Sequence, residues 1–448
     1  MRRSDIHDNK VNFTKGNIPK SLIRFSIPLM AGNLLQQLYN IADTLIVGRF
    51  IGKEALAAVG SAYTIMIFLT SIVLGLCMGS SAFLSIQYGK GDRETFAKAN
   101  GMAFAGIGLF CAALNLLVYA GLKWILWFMQ IPAEVAPLLA SYLRIIFSGI
   151  IATFLYNYFA NSMRAIGNSV IPLAFLGVSA LLNVVLDIVF VAGFHQGVEG
   201  AAVATVLSQY VSGLGILFYA WRKEKILRIR RKDLKFERRI FRQLTSLAAL
   251  TSLQQSIMNF GILLVQGRVN YFGTSVMAAF AAAVKVDTFA YSPVQDFGNA
   301  FSTFVAQNHG FGDEKRIKEG GKAAVLMVLI FGMAVSLAVA VFAAPLMGIF
   351  TKEKEIIEIG AGYLRIEGSF YALIGFLFLL YGYFRAIEKP AVSIILTVVS
   401  LGTRVALSYT LSAVPQIGYP GIWASIPIGW LLADLAGYAL ARREEKQQ

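Results

Sequence analysis

The chain has 448 residues, of which 57% are hydrophobic and 15% charged, with a formal net charge of +15. That balance excludes an ordinary soluble domain, which would expose far more charge. Apolar runs such as Ala55–Ile86 and Val325–Phe350 reach or exceed the ~20 residues that cross hydrocarbon, so the excess positive charge is read as facing a membrane, not nucleic acid.

In chain order, the first 24 residues are polar and basic with no apolar core, so no cleavable signal peptide is expected. Charged or Gly/Pro-rich breaks then separate about twelve apolar segments: 22–47, 55–84, 97–127, 136–162, 168–192, 199–221, 241–267, 275–304, 322–350, 356–384, 390–412 and 419–440. Their length and lack of alternation predict helices, not a barrel. The N-terminus, the even-numbered connections and the C-terminal tail hold 30 of the 40 Lys and Arg residues. Basic residues stay on the cytoplasmic side, so both termini are expected inside a plasma (inner) membrane. The densest basic stretch, WRKEKILRIRRKDLKFERR at 221–239, predicts a linker facing lipid headgroups. Cys77 and Cys111 lie in apolar runs without ligand partners and are read as free buried thiols.

An internal repeat organises these segments. SYLRI at 141–145 recurs as GYLRI at 362–366, RAI at 164–166 recurs at 385–387, and GKGD at 89–92 matches GFGD at 310–313, each at a shift of 221. GVEG at 197–200 matches GYPG at 418–421, and GKEALAAVGSA at 52–62 matches GTSVMAAFAAA at 273–283. Upstream, VGR at 47–49 aligns with QGR at 266–268 only at 219. The expected fold is an all-α integral membrane protein of about twelve transmembrane helices in two parallel six-helix lobes. A pseudo-two-fold axis along the membrane normal would relate them, with an N-lobe over 1–221, a basic linker over 222–240 and a C-lobe over 241–448. Such lobes would enclose a central cleft suited to alternating access, and a monomer is expected.

The halves differ where charge enters the membrane. Asp43, in NIADTLIVG, corresponds to Ile262; Asp187 corresponds to Ser408 and Asn183 to Arg404. A carboxylate that served only to hold a bundle together would be needed in both copies. With the N-terminus inside, Asp43 and Asp187 both fall in the outer halves of their helices and can share a depth. Gln36, Asn40 and Asp43 form a stripe at i, i+4 and i+7, and Asn183 and Asp187 stand at i and i+4; such stripes face protein or water, not lipid. Two carboxyl groups there would exchange protons near neutral pH, or their oxygens and an amide would hold Na⁺. Lys285 and Asp287 point to different faces of the eighth helix, and Arg404 is a candidate partner for Asp287 or Glu367. Arg164 and Arg385 recur at cytoplasmic helix ends and are read as topological anchors.

The stretches IADTLIVGRFIGKEALAAVG, FSIPLMAG, MRAIGNSVIP, NVVLD and GVEGAAVAT, in this order across nearly the whole chain, resemble the multidrug and toxic compound extrusion (MATE) family. The resemblance implies an antiporter that expels bulky, often cationic amphipathic compounds by rocking two lobes, with H⁺ or Na⁺ as coupling ion and no other cofactor. It implies a cation site of Asp43, Asn183, Asp187 and Thr205, with Gln36, Tyr142 and Asn157 nearby; Asn40 joins these from its place in the stripe as cavity lining. Helix seven, TSLQQSIMNFG, and helix ten, FYALIGFLFLLYGYF, carry no acid. The chain thus departs from the branch with a coupling carboxylate pair in the second lobe and is similar to DinF-like members. A flippase for lipid-linked oligosaccharide is the alternative, which a cleft rich in Arg or Lys would favour. The three histidines are scattered in tails and loops, and no HExxH or nucleophile elbow is present, so an enzyme is not expected.

Overall fold

The computed structural model describes residues 10–128, 131 and 134–447, with the backbone alone at residues 53, 128, 231–232, 260–263 and 445–447. The side chain of Ile262, the counterpart of Asp43, therefore lies outside the described residues. Among the described residues every regular element is helical. The first half comprises α1 (Ile18–Phe50), α2 (Lys53–Lys90), α3 (Arg93–Phe128), α4 (Ala136–Ser148), α5 (Ile150–Ala165), α6 (Val170–Asp187) and α7 (Gly197–Lys223). The second comprises α8 (Arg238–Asn270), α9 (Thr274–Phe311), α10 (Glu314–Gly348), α11 (Lys354–Gly368), α12 (Tyr371–Ala386), α13 (Pro390–Leu411) and α14 (Pro420–Gln447).

Among the described residues, eight helices are long and apolar enough to cross a membrane, or ten if each of two bent pairs is one span. The pairs are α4 with α5, bent by 43°, and α11 with α12, bent by 51°; they are the fourth and tenth predicted segments. The remaining two segments, the first and eighth, are the continuous helices α1 and α9, which carry Asp43 and the Lys285–Asp287 charges.

The repeat is written into the backbone as well as the sequence. Left-handed φ values occur at Gly52 and Gly273, Gly91 and Gly312, Gly167 and Glu388, and Gly197 and Gly418, every pair 221 residues apart. A residue with a Cβ loses roughly 1–2 kcal/mol in that conformation, which explains the glycines at seven of the eight positions. The turns they build match in detail: Asn168 N–H donates to Met163 O at 2.9 Å, and Lys389 N–H donates to Phe384 O at 2.8 Å.

By contacts the chain forms two compact units. The first contains the described residues through Val11 together with Ile27–Ser252; the second contains Asn12–Ser26 and Leu253–Gln448. The basic stretch after α7 belongs to the first unit. It forms two short 3₁₀ turns, Lys225–Leu227 and Arg231–Leu234, laid against α3. Leu227 is buried, and its carbonyl accepts from Asn100 Nδ2 at 3.1 Å. Tyr158 Oη donates to Asn100 Oδ1 at 2.8 Å and to Asn100 O at 2.6 Å, while Lys98 pairs with Glu237 at 3.0 Å. Asn100→Leu strips partners from the Leu227 carbonyl and the Tyr158 hydroxyl. We expect it to destabilise the first unit by ~1–3 kcal/mol, read as a lower melting temperature of the detergent-solubilised protein.

In the second unit, Phe13 is fully buried between Phe25 and Phe304, with ring centroids 5.1 and 5.7 Å away. Its carbonyl accepts from Arg316 Nε at 2.8 Å and Asn308 Nδ2 at 3.1 Å. Arg385 corrects one sequence expectation. Read as a topological anchor at a helix end and so expected at the surface, it is buried, donating to Asn299 Oδ1 at 3.0 Å and Ser302 Oγ at 3.2 Å. A guanidinium withdrawn from water needs such fixed acceptors, and it ties α12 to α9. Cys77 and Cys111 are free and buried, as expected.

Candidate functional site

The first unit gathers its buried acids where α1, α6 and α7 meet. α1 and α6 pack in contact here: a Cβ added at Gly32 would stand 3.5 Å from Leu176, and one at Gly177 would stand 3.7 Å from Leu35, both ordinary van der Waals distances. Asp43 of α1 lies close enough to Asp187 of α6 for the two carboxyl groups to act on each other electrostatically. Asp187 is fully buried, and Asn183, one turn earlier on α6, is 2% exposed. Asn183 Nδ2 donates to Thr205 Oγ1 on α7 at 3.3 Å, which orients its amide oxygen away from that hydroxyl.

The remaining oxygens lack donors. Oδ1 of Asp43, both carboxyl oxygens of Asp187 and Oδ1 of Asn183 are buried with no hydrogen-bond partner. Among the described residues, no Lys or Arg is among the groups acting on either carboxyl. Two unit charges ~4 Å apart repel by roughly 4 kcal/mol at an effective dielectric near 20, more than a typical hydrogen bond returns. A proton shared between the carboxyls, or a small hard cation among the four oxygens, removes that repulsion. The donor set is therefore suited to H⁺ or Na⁺.

The local helix changes form at this point. Residues Ile188–Gly193, directly after Asp187, wind as a π-helix, a geometry that often accompanies functional sites. The equivalent stretch after Ser408 ends as α-helix at Leu411. Nothing in the residue pattern of NVVLDIVF signalled this change.

The other predicted residues fall into two groups. Tyr142, buried on α4, lies within electrostatic range of both carboxylates. Gln36 lies near Tyr39, a residue not singled out from the sequence, and Tyr39 in turn lies near Asp43. Asn40 and Asn157 are not drawn into the acid pair by any hydrogen bond. Asn40 Nδ2 reaches Gln37 Oε1 at 3.5 Å, and Asn157 Nδ2 donates to Thr153 O at 2.9 Å within its own helix.

The second unit holds acids of its own. The tenth span comprises α11 and α12, as the predicted segment 356–384 did, and it includes Glu367, which is 2% exposed. Glu367 meets the buried Asp287 of α9, and Arg404 of α13 acts on both. Arg404 thus faces both of its candidate partners, whereas Lys285 is exposed.

A duplicated, multi-pass helical membrane protein with an unpaired acid couple buried in its first unit has the architecture of a transporter, not of an enzyme. The MatE family model matches residues 28–189 and again 248–410, and the chain belongs to the MATE family. It is 29% identical to the probable multidrug resistance protein YpnP of Bacillus subtilis over 436 residues, covering 96% of each chain. It is 25% identical to the probable multidrug resistance protein NorM of Thermotoga maritima, covering 91% of this chain and 88% of that one. Among solved structures, a MOP superfamily transporter from Pyrococcus furiosus matches with a TM-score of 0.92 at 24% identity, covering 97% of each chain.

Proposed function

We propose that the protein is a secondary active multidrug efflux antiporter that exports bulky, often cationic amphipathic compounds in exchange for H⁺ or Na⁺. The names of its relatives YpnP and NorM, probable multidrug resistance proteins, support the substrate class. The observation that carries the coupling role is the Asp43–Asp187 pair: three of its oxygens, together with Oδ1 of Asn183, are buried without donors, and among the described residues no Lys or Arg is among the groups acting on it. Asp43 and Asp187 take the ion, Asn183 and Thr205 orient around it, and Gln36, Asn40, Tyr142 and Asn157 line the substrate path. Binding of the ion and of the substrate alternates as the lobes expose the site to one side and then the other. The protein works in the plasma membrane with both termini in the cytoplasm.

Inverted membrane vesicles test this reading with ethidium as substrate and an imposed H⁺ or Na⁺ gradient. The gradient of the coupling ion should drive uptake by wild type, and Asp43→Asn should lose at least ~90% of it, a cost of ~1.4 kcal/mol or more in the driven step. Full gradient-driven uptake by Asp43→Asn would remove the coupling role. Transport indifferent to both gradients would remove the antiport reading.

A further inference from the structure

The second unit contains a buried charged cluster that the coupling site does not use. Asp287 on α9 and Glu367 on α11 are 5% and 2% exposed, and their carboxyl groups are close enough to act on each other electrostatically. Tyr371, fully buried at the first position of α12, lies near Asp287, and Tyr363 of α11 lies near Glu367, each close enough to act on its carboxyl group. The groups facing this pair are Tyr291 on α9, Tyr363, Tyr371 and Arg404 on α13. Oδ1 of Asp287, Oε2 of Glu367, Oη of Tyr371 and Nε of Arg404 are all buried without a well-formed hydrogen bond.

Charge balance gives the cluster its meaning. Two carboxylates and one guanidinium sum to one negative charge, and a buried site moves toward neutrality. One proton achieves that here. Arg404 stands 221 residues after Asn183, so the second unit carries a permanent cation at the helix position where the first presents an amide beside its acid pair. A metal ion would meet that guanidinium as a like charge, whereas a proton fits between two carboxyl oxygens.

Position adds a mechanical role. The tenth span breaks at Ser369 and Phe370, between α11 and α12, with a 51° bend. Glu367 precedes the break and Tyr371 follows it, and both reach Asp287. We propose that Asp287, Glu367 and Tyr371 form a second, one-proton site with Arg404 as its fixed counter-cation, clamping the break of the tenth span. This site is independent of the first-unit coupling reading.

Infrared spectroscopy of the purified full-length protein tests it in an Asp43→Asn, Asp187→Asn background, so first-unit chemistry does not enter. The band of protonated carboxyl groups, identified by its shift in D₂O, is compared between variants across about pH 5 to 9, a range in which exposed carboxylates are largely ionised. Either Glu367→Gln or Asp287→Asn should remove one carboxyl's share of the band, because Arg404 then balances the acid that is left. Arg404→Gln should double that share, since neutrality then takes two protons, and Arg404→Lys should leave it unchanged. If a variant fails to stay monodisperse, the remaining ones carry the same charge arithmetic. A band that Glu367→Gln and Asp287→Asn both leave intact, or that Arg404→Gln does not increase, would overturn the proposal.

Discussion

Asp187→Ser should abolish gradient-driven export while leaving the protein folded. The substitution copies the second unit's own residue. Ser408 is fully buried and satisfies its hydroxyl by donating to the carbonyls of Arg404 and Val405 on the same helix. A serine at 187 has the same option, so the fold loses no obligatory partner. It gains, if anything, because the wild-type carboxylate holds two buried oxygens without donors. The proposed coupling site loses one of its two carboxyl groups. Export driven by the imposed gradient should fall at least tenfold, equivalent to ~1.4 kcal/mol, while melting temperature holds or rises. Loss of folded protein in parallel with transport would instead make Asp187 a structural residue.

The second large effect concerns α2 and α8 inside the first unit. Gly75 and Gly79 stand one turn apart in GLCMG, the small-xxx-small spacing that lets helix backbones touch. A Cβ at Gly79 would lie 2.3 Å from the Leu247 carbonyl oxygen and 2.6 Å from Ala248 Cα, and one at Gly75 would lie 2.4 Å from Ser252 Cα. These are backbone atoms and cannot turn aside as a side chain would. The seam is also bonded, with Ser252 Oγ donating to Ile72 O at 2.9 Å. Gly79→Val must therefore part the two helices, at the upper end of the ~1–3 kcal/mol typical of overpacking or beyond it. Folded protein recovered from membranes should drop several-fold. Gly106→Val is the matched control, since nothing lies within 4 Å of a Cβ there, and it should be tolerated. Equal recovery of the two variants would contradict the tight seam.

The sequence carried most of the architecture because its strongest signals are geometric. Apolar runs announce spans, and glycines at fixed offsets announce turns. The acid pair was legible from Asp43 and Asp187 because their duplicates are apolar or neutral, which isolates them by contrast. Three features were not legible. Glu367 lies within the predicted segment 356–384 and was a named candidate partner of Arg404, but nothing in GYLRIEG says that it meets Asp287. Arg385 looks like any basic residue at a helix end, and only the amide and hydroxyl of Asn299 and Ser302 reveal that it is buried. The π-helix after Asp187 follows from backbone hydrogen-bond choice, on which VFVA is silent.

Glu388 holds a consequence for how such a chain can change. It keeps a left-handed φ of 62° with a side chain that disfavours it, at the position its partner fills with Gly167. The hydrogen bond that closes the turn, from Lys389 N–H to Phe384 O, survives in both halves. The turn's shape is thus dictated by the helices that it joins and outlasts the residue best suited to it. Side chains are then free to drift on a constant scaffold: an amide and an acid on one helix, a guanidinium and a hydroxyl on its counterpart. The molecule carries its own control experiment: from Gly52 onward the counterpart of a residue stands 221 positions away, and the positive-φ turns recur at that offset.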